Sequence, residues 1–175
     1  ITHGTWQAAQ WSFASAQSAA LHVADGARSA FALCRPPGHH ATADMYGGYC
    51  FLNNAALTAE ILQAKGAGKV AVLDVDFHHG NGTQAAVEGT ADVFFASSHQ
   101  WPLYPGSGRP EERGVGNVFN RVMAPGAGGD AFRRIWRAEL LPALADFAPE
   151  LILVSAGFDA HADDPLAEIE LSDAD

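Results

Sequence analysis

Residues 69–79 read Lys69-Val-Ala-Val-Leu73-Asp74-Val-Asp76-Phe-His78-His79, an apolar run that passes directly into acids and imidazoles. A continuous apolar run bounded by polar residues is the pattern of a β-strand buried on both faces, as in the middle of a parallel sheet. The polar groups then stand at the strand's carboxyl end, where open parallel sheets build their ligand crevices.

Outward from this strand the chain alternates between helical and strand patterns. Trp6, Ala9, Phe13, Ala16, Ala20 and Leu21 recur at helical spacing and predict a helix from Gly4 to about Ala24, stopped by Gly26. Ser29 to Leu33 is expected to be a short buried strand, followed by the turn-rich Arg35-Pro-Pro-Gly38 and a loop. A second helix is expected over Phe51 to Lys65, a short helix over Thr83 to Glu88, and further strands over Asp92 to Ala96 and Leu151 to Ser155. Between them lie a Pro- and Gly-rich loop from His99 to Gly129 and a helix from about Asp130 to Phe147, which Pro142 is expected to bend or interrupt. Such alternation predicts an α/β fold: a three-layer sandwich with a mainly parallel sheet, residues 1–175 forming a single domain.

Composition narrows the function classes. The chain has 175 residues, 48% hydrophobic and 17% charged, with two cysteines, which excludes disorder and a disulfide-stapled miniprotein. A net charge of −10 offers no electrostatic footprint for a phosphate backbone, so no direct nucleic-acid partner is expected. No stretch approaches the roughly 18 consecutive apolar residues of a bilayer span, so no membrane partner is expected either. Cys34 and Cys50 lack the spacing of a zinc knuckle or redox pair and fit a reducing, cytoplasmic setting. The chain does not open with Met, and Leu171-Ser-Asp-Ala-Asp175 reads as a helix start with Ser172 as N-cap. Both features lead to the expectation of a longer protein, with the domain incomplete at both ends and apolar surface left for a second copy, as in a homo-oligomer, or another chain to cover.

Four polar segments follow the predicted strands: Pro36-Pro-Gly-His39-His40, Asp74 through Gly82, Ser97-Ser-His99, and Gly157-Phe-Asp159-Ala-His161-Ala-Asp163-Asp164. In Asp74-x-Asp76-x-His78, residues two apart project to one side of a strand end. Asp76 and His78 can therefore hold one ion while Asp74 reaches a different neighbour. A carboxylate and an imidazole are two of the three protein ligands that a catalytic zinc usually takes, and Asp159 is the natural third. The Pro36-Pro-Gly38 backbone lets His39 and His40 face one cavity, and imidazoles beside an activated water suit proton transfer. Helix capping and solvated loops are the plain alternatives for such acids and histidines. Their density directly after a buried strand argues against these.

Other candidates carry less. His3 and His22 are expected on the surface, and His99 and His161 in structural roles. Tyr49 and Tyr104 flank loops that would wall an apolar channel. Gly106-Ser-Gly108 lacks the Lys-Ser/Thr and the following helix of a phosphate cradle. Cys50 as a nucleophile is discounted, and no Gly-x-Ser-x-Gly elbow is present.

Arg35-Pro-Pro-Gly-His-His40, Gly47-Gly-Tyr-Cys-Phe-Leu-Asn-Asn54, Asp74-Val-Asp-Phe-His-His-Gly-Asn-Gly-Thr83 and Gly157-Phe-Asp159 resemble the zinc-dependent histone deacetylase superfamily. That superfamily includes bacterial histone-deacetylase-like and acetylpolyamine amidohydrolases on the arginase-like α/β fold. The resemblance implies one Zn2+ on Asp76, His78 and Asp159, with His40 as general base and acid and His39 as its partner, hydrogen-bonded to Asp74. It implies an acetyl-lysine tunnel walled by Tyr49 and Tyr104, and a structural potassium ion (K+) near Asp74, Ser97 and backbone carbonyls around Asp76, His78 and Ser98. Asn81 stands where some members place an Asp behind the second histidine, and a neutral partner should leave His40 less biased toward imidazolium. The family's catalytic tyrosine is expected beyond Asp175, and the opening strand and gating loop before Ile1. The implied activity is release of acetate from an acetylated small molecule or an acetyl-lysine peptide. An arginase-like dimanganese hydrolase and a non-catalytic module that binds acetylated ligands are the alternatives.

Overall fold

The computed structural model describes residues 1–166 and 168–175. Strands β1 (Val70–Asp74), β2 (Val93–Gln100), β3 (Val118–Met123) and β4 (Leu151–Ser155) form one sheet in the order β3-β2-β1-β4. Every neighbouring pair is parallel, and Asp74, the last residue of β1, stands in register with Ser97 on one side and Ser155 on the other. All residues of the two central strands are buried, as the unbroken apolar run of β1 requires.

Successive side chains of a strand point to opposite faces, and the core divides accordingly. Val70 and Val72 cluster with Ala20 of α1 (Thr5–Ala24), Ala59 and Leu62 of α2 (Asn54–Ala64) and Val87 of α3 (Asn81–Val87). Ala71 and Leu73, with Phe94 and Ala96 of β2, cluster with Trp136, Leu140 and Leu144 on the other face. Helices therefore cover both faces of the sheet in three layers. A third cluster joins Met123, the last residue of β3, to Phe77, Ala160 and Ile169 from the segments that follow the strands.

Several sequence expectations are corrected. Ser29 to Leu33 is not a strand: among the described residues the segment has no ladder partner, and Phe31 and Leu33 are 70% and 86% exposed. A slot of about 780 Å³ separates it from β4, whose Ile152 and Val154 are exposed as well, so neither stretch completes the other's hydrogen bonds. The expected loop from His99 to Gly129 contains β3, an edge strand whose alternating burial was masked by the Pro and Gly around it, and β2 runs on to Gln100. Helix α2 begins at Asn54 rather than Phe51, because the Asn53 side chain accepts the Ala56 N–H at 3.0 Å and caps it.

The expected helix from Asp130 to Phe147 is interrupted, as Pro142 suggested. It runs as α4 (Gly129–Ile135), a π-helical turn (Trp136–Leu140) and α5 (Leu141–Phe147). Pro142 sits in the first turn of α5, where its missing N–H costs least. Ser172 opens no helix among the described residues; its N–H and hydroxyl both bond the Asp175 carboxylate at 2.9 Å in a turn. No helix among the described residues is long and apolar enough to cross a membrane.

Candidate active site

Three of the predicted segments converge at the carboxyl end of β1. Asp74 is fully buried, and its two oxygens serve different partners: Oδ2 faces His39 Nδ1 at 2.9 Å, while Oδ1 accepts the Asp76 backbone N–H at 3.2 Å. That second bond tightens the turn after β1 and points Asp76 outward. The Asp76 Oδ1 accepts from the His78 backbone N–H at 2.8 Å and lies 3.0 Å from His78 Nδ1. From the end of β4, Asp159 brings Oδ2 to 2.9 Å from the same Nδ1.

Asp76, His78 and Asp159 thus offer two carboxylates and an imidazole whose ligand atoms lie within 4.8 Å of one another, a set able to hold a metal ion. It is one cluster of three donors among the described residues, which fits a single ion and lends nothing to the dimanganese alternative. Burial by itself lowers the His78 pKa, but the bonds to Asp159 and then Asp76 outweigh it and raise the group to about 9. Burial favours a neutral Asp76, yet the bond from His78 and the charge of His39 hold its carboxyl below the usual range. Two carboxylates face the one ring nitrogen, an arrangement that favours a cation between them.

The two neighbouring histidines are set apart by their partners. Burial alone would lower His39, but Asp74, through charge and hydrogen bond, raises it to about 9. Burial lifts the Asp74 carboxyl against the pull of His39, so the pair retains a proton between them. His40 donates from Nδ1 to the Asn81 Oδ1 at 2.8 Å, which leaves Nε2 as its basic nitrogen. Burial and then the neighbouring His39 push it down to about 4, against the upward pull of the Asn81 bond. The two rings lie 4.0 Å apart, and the His78 ring lies 5.8 Å from His40.

The backbone holding the histidine pair is itself tied down. The amides of Gly82 and Thr83, at the start of α3, donate to the His39 carbonyl at 2.9 and 3.1 Å. Asn53 bridges Ala41 O and Thr83 Oγ1, and Asn54 with Ser12 secures the Pro36 carbonyl. Gly48 has φ +51°, and a Cβ there would overlap the His40 ring, so only glycine lets this loop close on the imidazole. Gly48, Asn53 and Thr83 stand in the quoted motifs without a role read for them, and Ser12 lies outside those motifs; a buried Asn pair at a helix start is the signal the sequence carries.

The remaining candidates separate clearly. Tyr104 stands edge-on to His40 with ring centroids 5.0 Å apart, whereas Tyr49 is 83% exposed on a backbone with φ +63°. Ser97 is buried but turns its hydroxyl to His99 Nδ1 at 2.9 Å. His161 pairs with Asp173 at 3.3 Å, away from the cluster, and His3 and His22 are exposed. Burial pushes the Cys50 thiol up to about 11, which removes it as a nucleophile.

Comparison with known proteins bears on this geometry. The histone deacetylase domain model matches residues 1–175. The chain belongs to the histone deacetylase family. It is 45% identical over 185 residues to acetylpolyamine amidohydrolase 1 of Pseudomonas aeruginosa, covering 100% of this chain and 52% of that protein. Identity to the acetylpolyamine amidohydrolase of Mycoplana ramosa is 46% over 181 residues, covering 100% and 53%. Among solved structures, the acetylpolyamine aminohydrolase of Burkholderia pseudomallei superposes with a TM-score of 0.92 at 44% identity, over 97% of this chain and 51% of that one. The HDA15 HD domain gives 0.93 at 36% identity, over 96% and 50%. The fold of this family member is therefore the arginase/deacetylase-like α/β fold. The chain spans about half the length of the curated relatives it matches.

Proposed function

We propose that the protein hydrolyses an acetylated amine, an acetylated polyamine or acetyl-lysine side chain, and releases acetate. The single observation that carries this reading is the convergence of Asp76, His78 and Asp159 on one point beside an imidazole, His40, whose ring Asn81 orients and which burial and His39 keep neutral. The family and the names of its relatives support the same reaction class.

In this reading Asp76, His78 through Nδ1, and Asp159 hold one zinc ion. When bound, zinc supplies Lewis acidity, lowering the pKa of a water and polarising an acyl carbonyl. His40, with its Nδ1–H fixed on Asn81, takes the water's proton at Nε2 and later delivers a proton to the leaving amine. His39, held on Asp74, carries positive charge next to that exchange and steadies negative charge as it develops at the acyl oxygen. Tyr104 and Tyr49 wall the approach of the acylated chain. A potassium ion near Asp74 and Ser97 would offset a fully buried carboxylate where β1 ends beside β2. Two free cysteines support a cytoplasmic setting.

The test is direct. The full-length protein, purified with zinc, is assayed for acetate release from an N-acetylated diamine and from an acetyl-lysine peptide. Turnover of at least one, abolished by chelation and restored by zinc, is the expected result. Zinc binding without turnover of either would favour the non-catalytic module.

A further inference from the structure

Behind the loop that carries Tyr104 lie two buried imidazoles with no part in the proposed chemistry. His79 and His99 are essentially inaccessible to solvent, and their rings lie 4.7 Å apart. Burying an imidazole is costly unless its ring nitrogens find partners, and here all four do. His79 Nε2 bonds the Gln84 Oε1 at 2.9 Å, and His79 Nδ1 the Ser107 hydroxyl at 2.8 Å. His99 Nδ1 bonds the Ser97 hydroxyl at 2.9 Å, and His99 Nε2 the Gly108 carbonyl at 2.9 Å.

The direction of each bond follows from groups that cannot donate. Gly108 O only accepts, so His99 Nε2 donates and its Nδ1 accepts from Ser97. Gln84 gives its amide hydrogens to the Glu112 carboxylate at 2.8 Å, so its Oε1 accepts from His79, and His79 Nδ1 accepts from Ser107. Glu112 also takes the backbone N–H groups of Gly108 and Arg109. Gly108 has φ +90°, and a Cβ there would come within 2.5 Å of both imidazoles, so the loop seats directly on the pair. Three residues before Ser107 comes Tyr104, inside a turn closed by the Gly106 N–H to the Leu103 carbonyl at 2.9 Å. Its ring meets His40 at 5.0 Å although 51% of the residue is exposed, so little packing of its own holds it there.

We infer that His79 and His99 are positioning residues, which act through Ser107 and Gly108 to set Tyr104 over His40 and thereby the fit of the acylated chain. An apolar pair would fill the same space, but only these imidazoles tie it to one placement of the loop. The effect on substrate rests on the amidohydrolase reading; the effect on the loop does not.

The test uses the full-length zinc-loaded protein with Ser107→Ala, Ser107→Thr, Tyr104→Ala and the Ser107→Ala/Tyr104→Ala double variant. All of these leave the buried imidazoles in place. Losing one hydrogen bond should raise KM for an N-acetylated diamine about 2–10-fold with little change in kcat, and Ser107→Thr should restore it. In the Tyr104→Ala background, Ser107→Ala should change KM far less, because the ring it positions is gone. Equal factors in the two backgrounds would overturn the inference. Amide hydrogen exchange over residues 103–109 gives a second reading that needs no turnover. Faster exchange in Ser107→Ala supports the anchor, and unchanged exchange overturns it. A wild-type protein that releases no acetate would sink the activity reading alone, with exchange still deciding the anchor.

Discussion

The Nδ1–H of His40 ends on the Asn81 amide oxygen at 2.8 Å. An amide there fixes the ring's tautomer without charging it, whereas the carboxylate of Asp74 does both to His39. Replacing Asn81 with Asp should therefore raise the His40 pKa from its low value of about 4. A base must be neutral to accept a proton, so the acid limb of kcat/KM against pH should move upward, by about 1–3 units for an adjacent opposite charge. A pH–rate profile of Asn81→Asp beside the wild type measures this. An acid limb that stays in place would remove His40 from the role of base.

Metal occupancy tests the ligand set. Asp76→Ala takes away one of three donors and the group that orients His78, and should leave the purified protein without zinc by elemental analysis. The thermal shift on adding zinc should vanish with it, since an ion at 100 times its Kd adds about 2.7 kcal/mol to the folded state. Full zinc occupancy in that variant would place the ion elsewhere.

Without metal, stability should peak near the ordinary histidine pKa. His39 and His78 are raised to about 9, so the stability they contribute is complete below their unfolded value of 6.5 and is lost as pH rises through about 9. His40, His79 and His99 are lowered to about 4, 3 and 4, so the unfolded chain takes up protons first and stability falls as pH drops below 6.5. Thermal midpoints of the chelated protein across this range should trace a dome, and Asp74→Asn should flatten its alkaline side. Midpoints that keep rising between about pH 7 and 9 would contradict the assignment for His39 and His78.

Much of the fold was legible because periodicity reports burial. The unbroken run Val70 to Leu73 marks a central strand, and polar residues directly after it mark the crevice. Ser29 to Leu33 misled because the same apolar pattern describes a strand that lacks a neighbour, and pairing is not written in local sequence. Strand β3 was hidden for the opposite reason: its edge position tolerates Asn120 and Arg121 among apolar residues. At the site, the acids and imidazoles were found by type and spacing. The partners that define them, Asn53 on Thr83 or Ser107 on His79, join segments about 30 residues apart and only the fold brings them together.

The free edge of β4 predicts behaviour of these 175 residues made alone. Phe31, Leu33, Ile152 and Val154 line an apolar slot beside the outer edge of β4, which pairs with no other strand among the described residues. Such an edge templates pairing between chains. Sedimentation should show concentration-dependent self-association, reduced when Ile152 and Val154 are both changed to Lys. A monomer at all concentrations would show that the edge is protected in solution.

The central claim is that Asp76, His78 and Asp159 hold zinc while His40 moves the proton. It is tested most directly by measuring zinc content and acetate release on the same preparations of full-length wild type and His40→Ala. The expected result is equal zinc in both, with turnover lower by about 10²–10⁴-fold in the variant. Near-normal turnover at equal zinc, or loss of the metal together with activity, would contradict it.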